Sequence, residues 1–207
     1  MQRIDEPPRR TSGGGCDRVR SATLALHEDP GSDTSPAYPS GMNLYDDVYA
    51  AFEEAEVRYV VVGGMAVVMS GHVRATVDLD VVVDLDPEAA LRAMQALEGL
   101  GLLPRVPIAL TDFADPQVRE SWIRDKHMQV LSFFDPDHPA REVDVFVAYP
   151  LDFDSLTAGA VPTRVGDRTV PVAAKHHLIE MKLAAGRPRD LEDIEALQRL
   201  MERGAGP

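Results

Sequence analysis

The run Val60-Val-Val-Gly-Gly-Met-Ala-Val-Val-Met-Ser-Gly-His-Val-Arg-Ala-Thr-Val-Asp-Leu-Asp-Val-Val-Val-Asp84 decides how this chain folds. Its second half, Val77 to Val83, has the β-branched composition of a buried strand, yet it carries two carboxylates, Asp78 and Asp80. Burying a charge costs several kcal/mol per ion unless a partner neutralises it. Such a strand either exposes its aspartates or binds something positive with them, and this run is too apolar for an exposed edge. Side chains alternate across a strand, so Asp78 and Asp80 leave one face while Leu79, Val81 and Val83 enter the core from the other.

Two acids aimed at one point repel, and one keeps its proton unless a cation arrives. Oxygen-only ligands facing a phosphate suit Mg²⁺ (or Mn²⁺), which takes a few carboxylates, waters and phosphate oxygens. A third acid, Asp144, lies in the apolar segment Glu142-Val-Asp-Val-Phe-Val147. If that segment neighbours the first, three carboxylates can hold two metal ions about 4 Å apart, steadying an attacking oxygen and a leaving pyrophosphate. The first half of the opening run supplies the complement. Arg58 to Val62 reads as a strand ending at Gly63-Gly64, and Met65 to Met69 as the start of a helix. Glycines at that junction let backbone amides approach an anion at a helix N-terminus. Arg74 and Thr76, in the connecting loop, are placed to contact phosphates or to brace the loop.

The rest of the 207 residues fits one domain with an appendage. Residues 1–41, with PPRR, SGGG and HEDPGSDTSP, lack apolar periodicity and read as a disordered tail; residues 42–207 form the domain, and Met42 is an alternative start. The single cysteine, Cys16, excludes an internal disulfide and a cysteine-based zinc site, which fits a reducing cytoplasm. No apolar run approaches the roughly 20 residues of a membrane span, and there is no hydrophobic region of a secretory signal. The net charge of −13 argues against a broad nucleic-acid-binding surface and leaves room only for a local basic groove.

Asn43 is placed to cap a helix bearing Leu44, Val48, Ala51 and Phe52 on one side. Asp86 and Pro87 open a helix that runs to about Gly99. Residues 100–125 give no clear pattern beyond a helical turn at Pro116 to Trp122. Met128 to Phe134 and Val143 to Val147 read as strands, and Thr163 to Val172 as a short β pattern. Helices follow at Lys175 to Ala185 and, capped by Asp190, at Leu191 to Glu202. This order predicts a small mixed β-sheet flanked by helices, an α/β arrangement.

Hydrophobic-Gly-Gly, a helical turn, Arg-x-Thr-x-Asp-h-Asp-h and a later h-Asp-h strand resemble the DNA polymerase beta nucleotidyltransferase superfamily. The tail LIEMKLAAGRPRDLEDIEAL is similar to that of its small prokaryotic AbiEii-like and antibiotic nucleotidyltransferase members. The resemblance spans about residues 43–200. It implies the nucleotidyltransferase fold, an NTP such as ATP cradled by Gly63 and Gly64, metal held by Asp78, Asp80 and Asp144, and Asp144 as the base toward an acceptor hydroxyl. It also implies Lys182 near the triphosphate, Arg187 and Asp190 at the rim, and transfer of a nucleoside monophosphate to a small molecule, protein or tRNA. An antitoxin partner, as in a toxin–antitoxin pair, is among its implications.

Two other classes compete. Glu180-Met-Lys182 after Asp144 has the letters of a PD-(D/E)xK metal nuclease, but that motif needs a strand and here falls on a helical pattern. A catalytically silent nucleotide-binding or regulatory module is the other. His176 and His177 are adjacent, so they face different sides of a helix and read as structural, while His72 lies beside the glycine loop.

Overall fold

A computed structural model describes residues 44–204. The tail at 1–41, Cys16, Met42 and the proposed cap Asn43 lie outside the described residues. The core is a seven-stranded mixed sheet in the order β3-β4-β5-β2-β1-β7-β6. Its strands are β1 (Tyr59–Val62), β2 (Leu79–Val83), β3 (Leu103–Pro104), β4 (Val130–Phe134), β5 (Glu142–Phe146), β6 (Val161–Val165) and β7 (Arg168–Val172). The helices are α1 (Asp46–Glu54), α2 (Gly63–Met69), α3 (Pro87–Gly99), α4 (Leu110–Ala114), α5 (Pro116–Lys126), α6 (Phe153–Ala158), α7 (Lys175–Ala185) and α8 (Pro188–Gly204). The mixed α/β class expected from the sequence is therefore the observed one.

The acid-bearing strand β2 occupies the centre of the sheet. It pairs antiparallel with β1 through Val62↔Asp80 and parallel with β5 through Leu79↔Val143, Asp80↔Asp144 and Val81↔Val145. Leu79, Val81, Val82, Val83, Val143 and Val145 are all sealed from solvent. The strand is shorter than its composition predicts: it begins at Leu79, so Asp78 stands exposed at its mouth instead of inside it. Tyr45 fixes this end. Its hydroxyl lies within hydrogen-bonding distance of the Val77 and Glu142 carbonyls, the latter at 2.8 Å, and accepts from the Glu142 N–H at 3.2 Å.

Helix α1 buries Val48, Tyr49 and Phe52, with Tyr45 beside them, while Leu44 is exposed. Helix α3 starts as predicted: Pro87 occupies its first turn and the Asp86 carboxylate accepts from the Glu88 N–H at 3.1 Å. The uncertain stretch at 100–125 contains edge strand β3, α4 and a full helix α5, the last opened by Asp115 and Pro116. The single β pattern at 163–172 is the hairpin β6–β7, turned at Gly166 with φ of +59°. Helix α8 begins at Pro188, earlier than expected, so Asp190 is not its cap but lies in its first turn. From there its carboxylate accepts from the Arg187 backbone N–H at 3.0 Å, as an acid three residues past a helix cap does. Helices α2, α7 and α8 pack together, and α7 and α8 border the carboxylate face of β2 and β5.

Candidate active site

A cleft of about 580 Å³ opens between that carboxylate face and the α7–α8 pair, within the size of small-molecule sites. Gly63, Gly64, Arg74, Thr76, Asp78, Asp80, Asp144 and Lys182, drawn from across the sequence, all line it, as do Arg187 and Asp190. Its other wall is apolar, formed by Ile123, Met128, Phe146, Tyr149 and Met181.

The sheet register makes the acid pair. Asp80 and Asp144 are directly aligned on adjacent strands, about 5 Å apart at the backbone. Burial first, and the Asp144 charge next, push the Asp80 carboxyl up to about 6, against a hydrogen bond from Gly64. Asp144 is raised by burial too, with Ser132, opposite it in β4, working the other way. Its Oδ1 is buried without a hydrogen-bond partner among the described residues. Asp78 raises both neighbours electrostatically from the mouth of β2. Among the described residues no three His, Cys, Asp or Glu side chains close to ligand spacing, so the donor set is a strand-held pair plus an outlying third acid. Two facing carboxylates with suppressed ionisation and an orphan oxygen suit a hard divalent cation.

The glycine pair is explained by close approach. Gly63 has φ of +63°, and a Cβ there would lie 2.0 Å from Asp80 Oδ2. The Gly64 N–H donates to that oxygen at 3.3 Å, so the Asp80 carboxyl is held at the N-terminus of α2. A Cβ on Gly64 would meet Arg74 Nη2 at 2.5 Å and Thr76 Oγ1 at 2.6 Å, so the loop after α2 folds back onto the turn.

The cationic side is built differently. Lys182 is buried and bridges Asp190 Oδ1 at 3.2 Å and Asp193 Oδ2 at 2.6 Å. The other Asp193 oxygen pairs with Arg74 Nε at 3.0 Å. Burial works to raise the Asp190 carboxyl, but hydrogen bonds from Arg187 and Lys182 outweigh it and hold the group below the ordinary carboxylate range. Arg187 is largely exposed, with its Nε on Asp190 at 3.1 Å. Glu180 and Lys182 stand on helix α7, one exposed and one buried, so they do not share the face a nuclease motif requires. His176 and His177 lie on α7 with ring centroids 4.0 Å apart and planes tilted by 51°, and neither they nor His72 line the cleft.

Sequence reading missed Asp193, Arg189 and Tyr45. The first had a signal: Asp190, Asp193, Ile194 and Leu197 follow the i, i+3, i+4, i+7 spacing of a buried helix face, and all four are buried.

No protein-family model and no curated protein matches this chain. Solved structures do. The antibiotic-resistance factor ANT(2″)-Ia superposes with a TM-score of 0.52 and 17% identity, covering 80% of this chain and 84% of that one. The lincosamide antibiotic adenylyltransferase LnuA, solved with lincomycin bound, gives 0.50 and 18% over 80% and 99% of the two chains. An antigenic nucleotidyltransferase-like protein from Paracoccidioides brasiliensis gives 0.51 and 17% over 78% and 77%. At such identities the likeness is one of architecture: this chain has the fold that these nucleotidyltransferases use.

Proposed function

We propose that the protein is a divalent-metal-dependent nucleotidyltransferase that moves a nucleoside monophosphate from an NTP to a hydroxyl-bearing acceptor. The observation that carries this reading is the aligned Asp80–Asp144 pair beside the Gly63–Gly64 turn, within one cleft. Asp80 and Asp144, with Asp78 at the mouth, would hold Mg²⁺ or Mn²⁺. Bound there, the metal neutralises the facing carboxylates and draws charge from the phosphoryl oxygens. Asp144 takes the proton of the acceptor hydroxyl, whose oxygen attacks the α-phosphorus while the bond to pyrophosphate breaks. Gly63, Gly64, Arg74 and Thr76 border the phosphates, and Lys182 contributes positive potential from its buried position. The apolar wall at Met128, Phe146 and Tyr149 receives the nucleobase or the acceptor body. Most of the rate gain then comes from placement and electrostatics.

The AbiEii-like reading, with a protein antitoxin as regulator, rests on the tail from Leu178 to Leu197 and belongs to this proposal. LnuA and ANT(2″)-Ia, an adenylyltransferase and a resistance factor, make ATP and a small hydroxylated acceptor the first pair to try. The test is incubation of the full chain with each α-³²P NTP and cell extract, beside Asp78→Ala and Asp80→Ala. Metal-dependent label transfer by the wild type alone is expected; equal transfer by the variants overturns the assignment. The exposed position of Asp78 favours one second reading, a nucleotide-binding module without transfer. Metal-dependent NTP binding with no labelled acceptor would establish it.

A further inference from the structure

Asp193 sits on α8, away from the acid pair, and is only 1% exposed. A carboxylate so deeply buried requires compensation, and it has two cations: Lys182 at 2.6 Å and Arg74 at 3.0 Å. Lys182 is already matched by Asp190, which also takes Arg187. The link that only Asp193 makes is the one to Arg74. That arginine belongs to residues 72–78, which adopt no regular structure and leave Val73 and Val77 exposed, so little apolar burial holds the segment in place. The arginine nevertheless lies close over Gly64, where a Cβ would meet its Nη2 at 2.5 Å. The same segment carries Thr76 and Asp78. Across the network three cations, Arg74, Lys182 and Arg187, face two carboxylates, Asp190 and Asp193, leaving one net positive charge beside the metal-binding acids.

We propose that Asp193 is a positioning residue: it clamps the Arg74 guanidinium over the Gly63–Gly64 turn, so that the α7–α8 pair completes the phosphate-binding half of the cleft. The phosphate part of this inference rests on the nucleotide reading above; the clamp does not. With Nε on Asp193 and Nη1 donating to the Ala75 carbonyl at 3.1 Å, the guanidinium is fixed with Nη2 beside Gly64, where a phosphate oxygen would meet it. Lys182 is held by the same carboxylate, through its other oxygen.

Two measurements on the full chain test this. Amide hydrogen exchange at residues 71–78, without any ligand, reads the clamp. Calorimetric titration with inorganic tripolyphosphate and Mg²⁺ reads the phosphate site. Asp193→Asn and Arg74→Gln should each speed exchange across 71–78 and each weaken tripolyphosphate about ten-fold. The double variant should bind no worse than either single one, because the two act through one contact. Unchanged exchange in Asp193→Asn, or penalties that multiply in the double variant, would overturn the proposal. If Asp193→Asn does not fold, Arg74→Gln tests the same contact from its more accessible end, and wild-type exchange at 71–78 in it has the same meaning. A wild-type protein that ignores tripolyphosphate defeats the nucleotide reading, while the exchange data alone then decide whether the clamp exists.

Discussion

Asp80 and Asp144 stand on adjacent parallel strands in direct register, whereas Arg74, Lys182 and Asp193 come from a loop and two helices. On the acid side backbone pairing fixes the spacing, and the carboxylates are left short of partners: Asp80 is driven toward neutrality and Asp144 keeps an orphan oxygen. On the cationic side every charge has a partner, and the geometry is set by the ion pairs themselves. Strands thus deliver facing carboxylates to a point, while the helices set opposite charges in ion pairs and hold the rim. The first half is poised to gain from a ligand; the second is stable without one.

The contrast is broken most forcefully by attacking the acids. Asp80→Ala and Asp144→Asn should lower nucleotidyl transfer by about a thousand-fold or more while leaving the melting temperature near that of the wild type. Label transfer beside thermal denaturation checks both arms. On the helical side the order of effects reverses. Lys182→Met takes the shared cation from two buried carboxylates, leaving each with one arginine, and should cost about 3 kcal/mol of stability, read by urea unfolding. Gly63→Ala strikes the junction between the halves, with a left-handed backbone and a collision with Asp80; a loss of roughly 2 to 3 kcal/mol is expected in the same assay.

A finer test uses acidity. The Asp80 carboxyl titrates ordinarily near 3.8 and in the fold near 6, mainly through burial and then through Asp144. Between those values the folded protein retains a proton that the unfolded chain has released. The stability it contributes is full below about pH 4 and is lost as pH rises through about 6. In EDTA, Asp80→Asn should therefore be more stable than wild type at pH 8, by up to about 2 kcal/mol, and equal to it at pH 4. Added Mg²⁺ should stabilise the wild type and not the variant. The smallest effect is expected at Tyr45→Phe, which removes the hydroxyl tying Val77 to Glu142 at the ends of the two acid strands. About 1 kcal/mol of stability should go, together with a modest fall in transfer.

What could be read from the sequence divides along the same line. Asp78 and Asp80 announce themselves because charged residues are anomalous among β-branched neighbours, and Asp144 repeats the anomaly. The β1-to-α2 junction was equally legible from its glycine pair. Strand ends were not: Asp78 left the sheet because the Tyr45 tether, a contact across the fold, sets where β2 begins. Helix α5 was truncated in the reading because its exposed, charged face offers little apolar periodicity beyond Trp122. Asp193 was passed over because an acid on a charged helix reads as solvent-facing. Its spacing with Asp190, Ile194 and Leu197 was the available signal, and the packing of α8 against α7 bears out an inward face that starts with two aspartates.

The parallel pairing of β2 with β5 has a consequence for how activity is acquired. The two strands are joined through α3, β3, α4, α5 and β4, so a chain emerging from the ribosome holds its first aspartates long before their counterpart is made. Until that crossover docks, there is no paired donor set for a metal ion to prefer, and closing so long a loop is a late and slow event. If the acids hold magnesium as proposed, the ion would select the finished domain over every partly assembled form, and by mass action would double as a quality check on folding.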